Sequence, residues 1–177
     1  MIRFCFQMLP EAAQWAATGI AVFGMINIVY AAFVCLAQKD LKKMIAYSSV
    51  SHMGFVLLGL AAMTPQGVTG AVFQMVSHGL VSPMLFLIAG VIYDRAHTRD
   101  INAFGGLAKL MPIYAGFLWL VFFASLGLPG LNSFWGEFFV LLGTFHAVAP
   151  LGWTPQFFKI CVYICAGGIV ITAAYHL

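Results

Sequence analysis

One carboxylate stands inside an apolar run. Glu137 lies in LPGLNSFWGEFFVLLG, residues 128–143, with Phe and Trp on one side and Phe and Val on the other. The other four acids, Glu11, Asp40, Asp94 and Asp100, fall where a loop or a membrane edge can hold them. A charge at membrane depth is costly, so such a carboxyl is expected to be paired, to line water or to transfer protons. The plain alternative is a protonated carboxyl hydrogen-bonded to a neighbour. The chemical alternative is a proton site, because a buried carboxyl takes its protonation from its surroundings.

Two histidines share this setting. His52 sits in YSSVSHMGF, residues 47–55, with Ser48 at i−4 and Ser49 at i−3. These three residues share one helical face, which makes a polar stripe in an apolar helix. His78 sits in FQMVSHGLVSPMLF, residues 73–86, with Gln74 at i−4, Ser82 at i+4 and Pro83 just beyond. Histidine changes charge near neutral pH, and a proline removes a helix donor and makes room for a kink. Each histidine also has a plain reading, a neutral ring bonded to a serine or a backbone carbonyl. Three ionisable residues on separate apolar segments, together with a broken helix, point to a polar path through a helix bundle.

Other polar residues carry less. Lys42 and Lys43 start a helix at the membrane edge and read as topology anchors, with Asp40 as a possible ion-pair partner. His97, His146 and His176 fall near loops or the chain end and receive no role. Cys5, Cys35, Cys161 and Cys165 lack the spacing of a zinc or redox site. Cys161 and Cys165 are one turn apart, as in helix packing. No metal site is expected.

The elements that must position these residues follow from composition. Of 177 residues 63% are hydrophobic and 7% charged, against about 25% charged in soluble domains. The class is therefore all-α, a polytopic transmembrane helix bundle, with residues 1–177 as a single transmembrane domain. Nucleic acid is not an expected partner, because the eight Lys/Arg form no basic run of that type. The lipid bilayer is. A span needs about 20 apolar residues. Spans are expected near 12–38, 44–63, 67–93, 110–149 and 157–177, with MTPQGVTG (63–70) dividing the second from the third. Residues 1–9 read as the tail of a preceding helix. The loops 39–43 and 94–109 hold six of the eight basic residues, and two spans separate them. They therefore lie on one side, the cytoplasmic side.

The stretch 110–149, bounded by Pro150, contains LGLPGLNS (126–133). It fits two full helices with a loop at 128–133. It equally fits one span broken inside the membrane, where Pro129 removes a donor and Gly127, Gly130 and Gly136 loosen the helix. Freed backbone at that depth must face protein or water. The second half would begin near Leu131–Asn132, with Glu137 about one and a half turns in.

The runs AQKDLKKMIAYSSVSHMGFVLLGL (37–60), QMVSHGLVSPMLFLIAGVIYDRAHTRDI (74–101) and LGLPGLNSFWGEFF (126–139) resemble the chain M type of antiporter-like membrane subunit of NADH:quinone oxidoreductase, respiratory complex I, whose mitochondrial counterpart is subunit 4. The wider superfamily includes Mrp-type cation/proton antiporters and membrane subunits of related hydrogenases. The resemblance covers nearly the whole chain. It implies a bundle of about fourteen spans built on two inverted repeats, of which this chain would be most of the second. It also implies that 110–149 is one broken span. It makes Glu137 the proton-transfer carboxylate, with His52 and His78 on the polar axis between two half-channels.

The same resemblance implies that NADH, FMN, iron–sulfur clusters and quinone are handled by other subunits, with no cofactor bound by this chain. The expected partners are the other complex I membrane subunits. The expected location is the bacterial inner membrane rather than the mitochondrial one. In this picture His78 and His52, bridged by water and serines, relay protons to Glu137. The chain lacks the first repeat and is expected to be a piece that does not conduct protons alone. Alternatives are an antiporter or hydrogenase subunit, a truncated structural remnant, and a membrane haem protein with His52 and His78 as axial ligands.

Overall fold

A computed structural model describes residues 2–6, 8–148 and 156–176. Pro150 and the far end of the last expected span, Leu177, lie outside the described residues. Among the described residues the secondary structure is helical apart from one isolated β-bridge. The long helices are α1 (Pro10–Leu36), α2 (Leu41–Ala61) and α3 (Pro65–Ala96). A short α4 (Leu107–Leu110) leads to α5 (Pro112–Leu126) and α6 (Asn132–Phe145), and α7 (Phe157–His176) follows. A π-helical turn, Ile2–Phe6, precedes α1. Four helices, α1, α2, α3 and α7, are long and apolar enough to cross a membrane. Large apolar side chains such as Trp15, Leu80, Leu87 and Ile113 point outward.

Local chemistry sets the helix ends. Asp40 caps α2, accepting from the backbone N–H groups of Lys42 and Lys43 at 2.9 and 3.2 Å. Its carboxylate is recorded on these backbone groups rather than on a lysine ammonium, as an ion pair would require. The division between α2 and α3 is tighter than MTPQGVTG implies. Thr64 is already the cap and Pro65 the first residue of α3. At its other end α3 runs through Pro83 and past residue 93, until His97 stops it in a left-handed conformation (φ 52°).

The loops before α2 and after α3 pair with each other. Leu41 N–H donates to Arg99 C=O and Ile101 N–H to Lys39 C=O, both at 2.9 Å. The basic residues of both loops therefore gather at one end of the bundle, called here the basic end.

Close helix contacts run from mid-depth to the opposite end. A Cβ at Gly54 would come within 2.7 Å of the Gly24 carbonyl, so α1 and α2 touch backbone to backbone. A Cβ at Gly70 would come within 2.6 Å of Val140 N, which sets α3 against α6. Small residues permit this approach in membrane bundles. Cys161 and Cys165 of α7 are buried in the same core as Ile28, Phe55 and Val140. A second apolar cluster, including Ile45, Leu85, Val121 and Ala124, lies toward the basic end.

Candidate functional site

The site is built around the break between α5 and α6. Helix α5 ends in a Schellman arrangement. Gly127 N–H donates to Ala124 C=O and Leu128 N–H to Phe123 C=O, both at 3.4 Å. Gly127 has φ 75°, the left-handed geometry that favours glycine. A turn follows at once: Leu131 N–H donates to Leu128 C=O at 3.0 Å across Pro129-Gly130, with Gly130 at φ 99°. Proline first and a positive-φ glycine second is the type II signature. Five residues, 127–131, thus interrupt the helix without a long loop, and α6 goes on from mid-depth toward the end away from the basic loops. Each flanking helix, 15 and 14 residues, is about 20 Å long and shorter than a full crossing needs. Gly136 plays no part in the break. It lies inside continuous α6, against Gln74 of α3.

Glu137 lies on the second turn of α6 and is 6% exposed. Its Oε1 is 3.4 Å from His52 Nδ1, and His52 is 5% exposed. The ring nitrogen makes no hydrogen bond there, so the two groups are in close contact without an aligned donor–acceptor geometry. On its other side the carboxyl packs on Gly127: a Cβ there would lie 2.9 Å from Oε2. The break therefore leaves the space in which the carboxyl sits.

His52 is held from its second nitrogen as well. Its Nε2 lies 3.2 Å from Ser125 Oγ, on the last turn of α5. His78 stands beside it, ring centroids 6.0 Å apart, and its Nε2 is 2.8 Å from Ser82 Oγ. Ser77 and Ser133 join α3 to α6 at 3.0 Å. On α2, on α3 and along the α5–α6 pair, His52, Ser77, His78, Ser125, Ser133 and Glu137 fall between the buried residues of the two apolar clusters and form one polar layer across the bundle, while Ser82 lies beyond Val81, within the second cluster. Axial ligation of a haem by His52 would require giving up either the Ser125 contact at Nε2 or the Glu137 contact at Nδ1.

Glu137, His52 and His78 are therefore brought together. Ser48 and Ser49 are not part of this layer: both hydroxyls donate to the Ile45 carbonyl of their own helix, at 2.8 and 3.3 Å. The serine that meets His52 is Ser125. Its signal in the sequence was its place, a hydroxyl two residues before the first glycine of the break. Lys42 remains exposed at the basic end, in the wall of a cavity of about 160 Å³. A larger cavity, about 490 Å³, opens at the same end between Met44, Phe104, Tyr114 and Phe122. Neither cavity has Glu137 or His52 in its wall.

Membrane-length helices, a break between two short apolar helices and ionisable side chains buried in one layer define a polytopic membrane protein with a polar core. A family model described as NADH:quinone oxidoreductase/Mrp antiporter, TM matches residues 1–163. The chain belongs to that family. It is 46% identical, over 99% of its length, to the NADH-quinone oxidoreductase subunit M of Rhodobacter capsulatus, of which it covers 32%. It is also 46% identical, over its whole length, to the NAD(P)H-quinone oxidoreductase chain 4 1 of Synechococcus elongatus, again covering 32%. The chain thus spans about a third of these relatives. A chain in the structure of respiratory complex I from Thermus thermophilus with bound NADH superposes with a TM-score of 0.88 at 34% identity. The match covers 98% of this chain and 35% of that one.

Proposed function

We propose that the chain is part of a proton-translocating, antiporter-like membrane subunit of NADH:quinone oxidoreductase. The single observation that carries this reading is the buried Glu137–His52 contact at 3.4 Å, placed at a helix break. A carboxyl and an imidazole at that distance exchange a proton with little motion, and a change of charge nearby alters which of them holds it. His78 and Ser82 extend the polar layer beyond His52. Helices α5 and α6 act as one broken span, in which Gly127 lies against the Glu137 carboxyl while Leu128, Pro129 and Gly130 are exposed on this chain, where freed backbone at membrane depth needs protein or water beside it. The basic end faces the cytoplasm of a bacterial cell, and the chain sits in its inner membrane with the other complex I membrane subunits as partners. NADH oxidation, flavin, iron–sulfur clusters and quinone belong to those other subunits. The role of this chain is protonic rather than redox.

Glu137→Gln, made in the intact gene, tests the assignment. The complex is expected to assemble and oxidise NADH while fewer protons are pumped per electron into inverted membrane vesicles. An unchanged proton-to-electron ratio removes Glu137 from the path. The family description also covers Mrp antiporters. Sodium-linked proton movement in membranes that oxidise no NADH would favour that second reading.

A further inference from the structure

Three buried side-chain polar atoms have no hydrogen-bond partner among the described residues: His52 Nδ1, Gln74 Nε2 and Gln74 Oε1. All three lie in the polar layer. Buried polar groups are normally paired, and an unpaired one is destabilising. Gln74 is 1% exposed, with both ends of its amide in this condition. For packing alone, an apolar side chain of similar volume would serve without that penalty.

Its position is set from two sides. A Cβ on Gly136 would run into Gln74 Oε1 and come within 3.0 Å of its Cα and Cβ, so the amide lies directly on α6, one residue before Glu137. The Ser77–Ser133 contact fixes the register of α3 on α6 at this point. Gln74 thus lies at the α3–α6 contact, against the residue that precedes Glu137 on α6.

We propose that Gln74 is a positioning residue, the second partner of the Glu137 carboxyl. This rests on the proton-transfer reading above and deepens it. The two partners suit different forms of the carboxyl. A protonated carboxyl and a primary amide close a pair of hydrogen bonds: the carboxyl O–H donates to Oε1, and Nε2–H donates to the carboxyl C=O. An ionised carboxylate cannot donate and leaves Oε1 unpaired. An imidazolium N–H favours the ionised carboxylate. Transfer breaks the His52 Nδ1–H bond, forms an O–H bond on Glu137 and leaves both groups neutral. The carboxyl then turns to Gln74, which carries the proton off His52 to the α3–α6 contact. The titratable groups facing this point are His52 from α2 and His78 from α3, while α5 contributes the Ser125 hydroxyl and Gly127 backbone, among the described residues.

The test uses Gln74→Leu, Gln74→Asn and Glu137→Gln in the full-length subunit, in native membranes. Two quantities are read: protons pumped per electron, and the infrared C=O stretch of protonated Glu137, identified as the band lost in Glu137→Gln. In Gln74→Leu the band should move to higher wavenumber, and the ratio should fall about two- to tenfold, as the loss of one neutral hydrogen bond implies. Gln74→Asn should recover part of both. If Gln74→Leu does not assemble, Gly136→Ala, whose Cβ displaces the amide, should give the same band shift. An unmoved band and a normal ratio, with Glu137→Gln impaired, overturn the assignment of Gln74 alone. A normal ratio in Glu137→Gln overturns the proton-transfer reading itself.

Discussion

Alanine at position 127 should disturb Glu137, and alanine at position 130 should not. Both glycines lie in the break at positive φ, 75° and 99°. An L side chain in left-handed backbone costs about 1–2 kcal/mol, so both variants lose stability. Only position 127 has a neighbour. A Cβ there would stand 2.9 Å from Glu137 Oε2, whereas one at 130 meets nothing within 4 Å. Relaxing that contact to about 3.4 Å moves the carboxyl by a few tenths of an ångström. A shift of that size changes the 3.4 Å separation from His52 Nδ1 by up to ~0.4 Å. For a charged pair at an effective dielectric of about 20, this is worth about 0.5 kcal/mol, or about twofold in proton distribution. The assay is NADH-driven proton uptake by inverted vesicles, normalised to the amount of assembled complex. Gly127→Ala should lose about half its pumping per complex, and Gly130→Ala should keep its own. Equal losses in the two variants, or none in Gly127→Ala, would refute the argument that the break exists to seat the carboxyl.

Two further outcomes are expected from the same geometry. Ser125→Ala removes the 3.2 Å contact to His52 Nε2 and should cost about 1 kcal/mol of stability, read as a lower melting point of the complex; it should also weaken pumping. Gly54→Leu places bulk where even a Cβ would meet Gly24 O and Ile28 Cγ1 at 2.7 Å. Overpacking of about 1–3 kcal/mol or more should deplete the chain from membranes, whereas Gly19→Ala, with open space around it, should leave its abundance unchanged.

The ionisable residues of the site were legible because the bilayer makes them conspicuous: a Glu or His in an apolar run has few plain explanations. The break was legible for the same reason, since Pro129 and two flanking glycines interrupt a run that should otherwise continue. Partners were harder. Ser48 and Ser49 share a face with His52, yet a helical hydroxyl has its own carbonyl three or four residues back, and both take it. Ser125 comes from another helix, and no periodicity reports a contact between segments 73 residues apart. Gln74 was visible as one end of a stripe through His78, but its amide lies against α6. Gly136 looked like part of the break, because a glycine that loosens a helix and a glycine that admits a neighbour have the same letter. Only the register of α3 on α6 separates those roles.

The glycine contacts run from the level of Glu137 to the end away from the basic loops, while the cavities of about 160 and 490 Å³ lie at the basic end. The bundle therefore has a stiff half and a soft half. In mechanical terms the bundle is a cantilever clamped at its close-packed end, with Glu137 near the root. A push on the basic loops then reaches the carboxyl as a small rotation about the clamp. The Asp40–Asp100 bridge makes both loops turn as one handle.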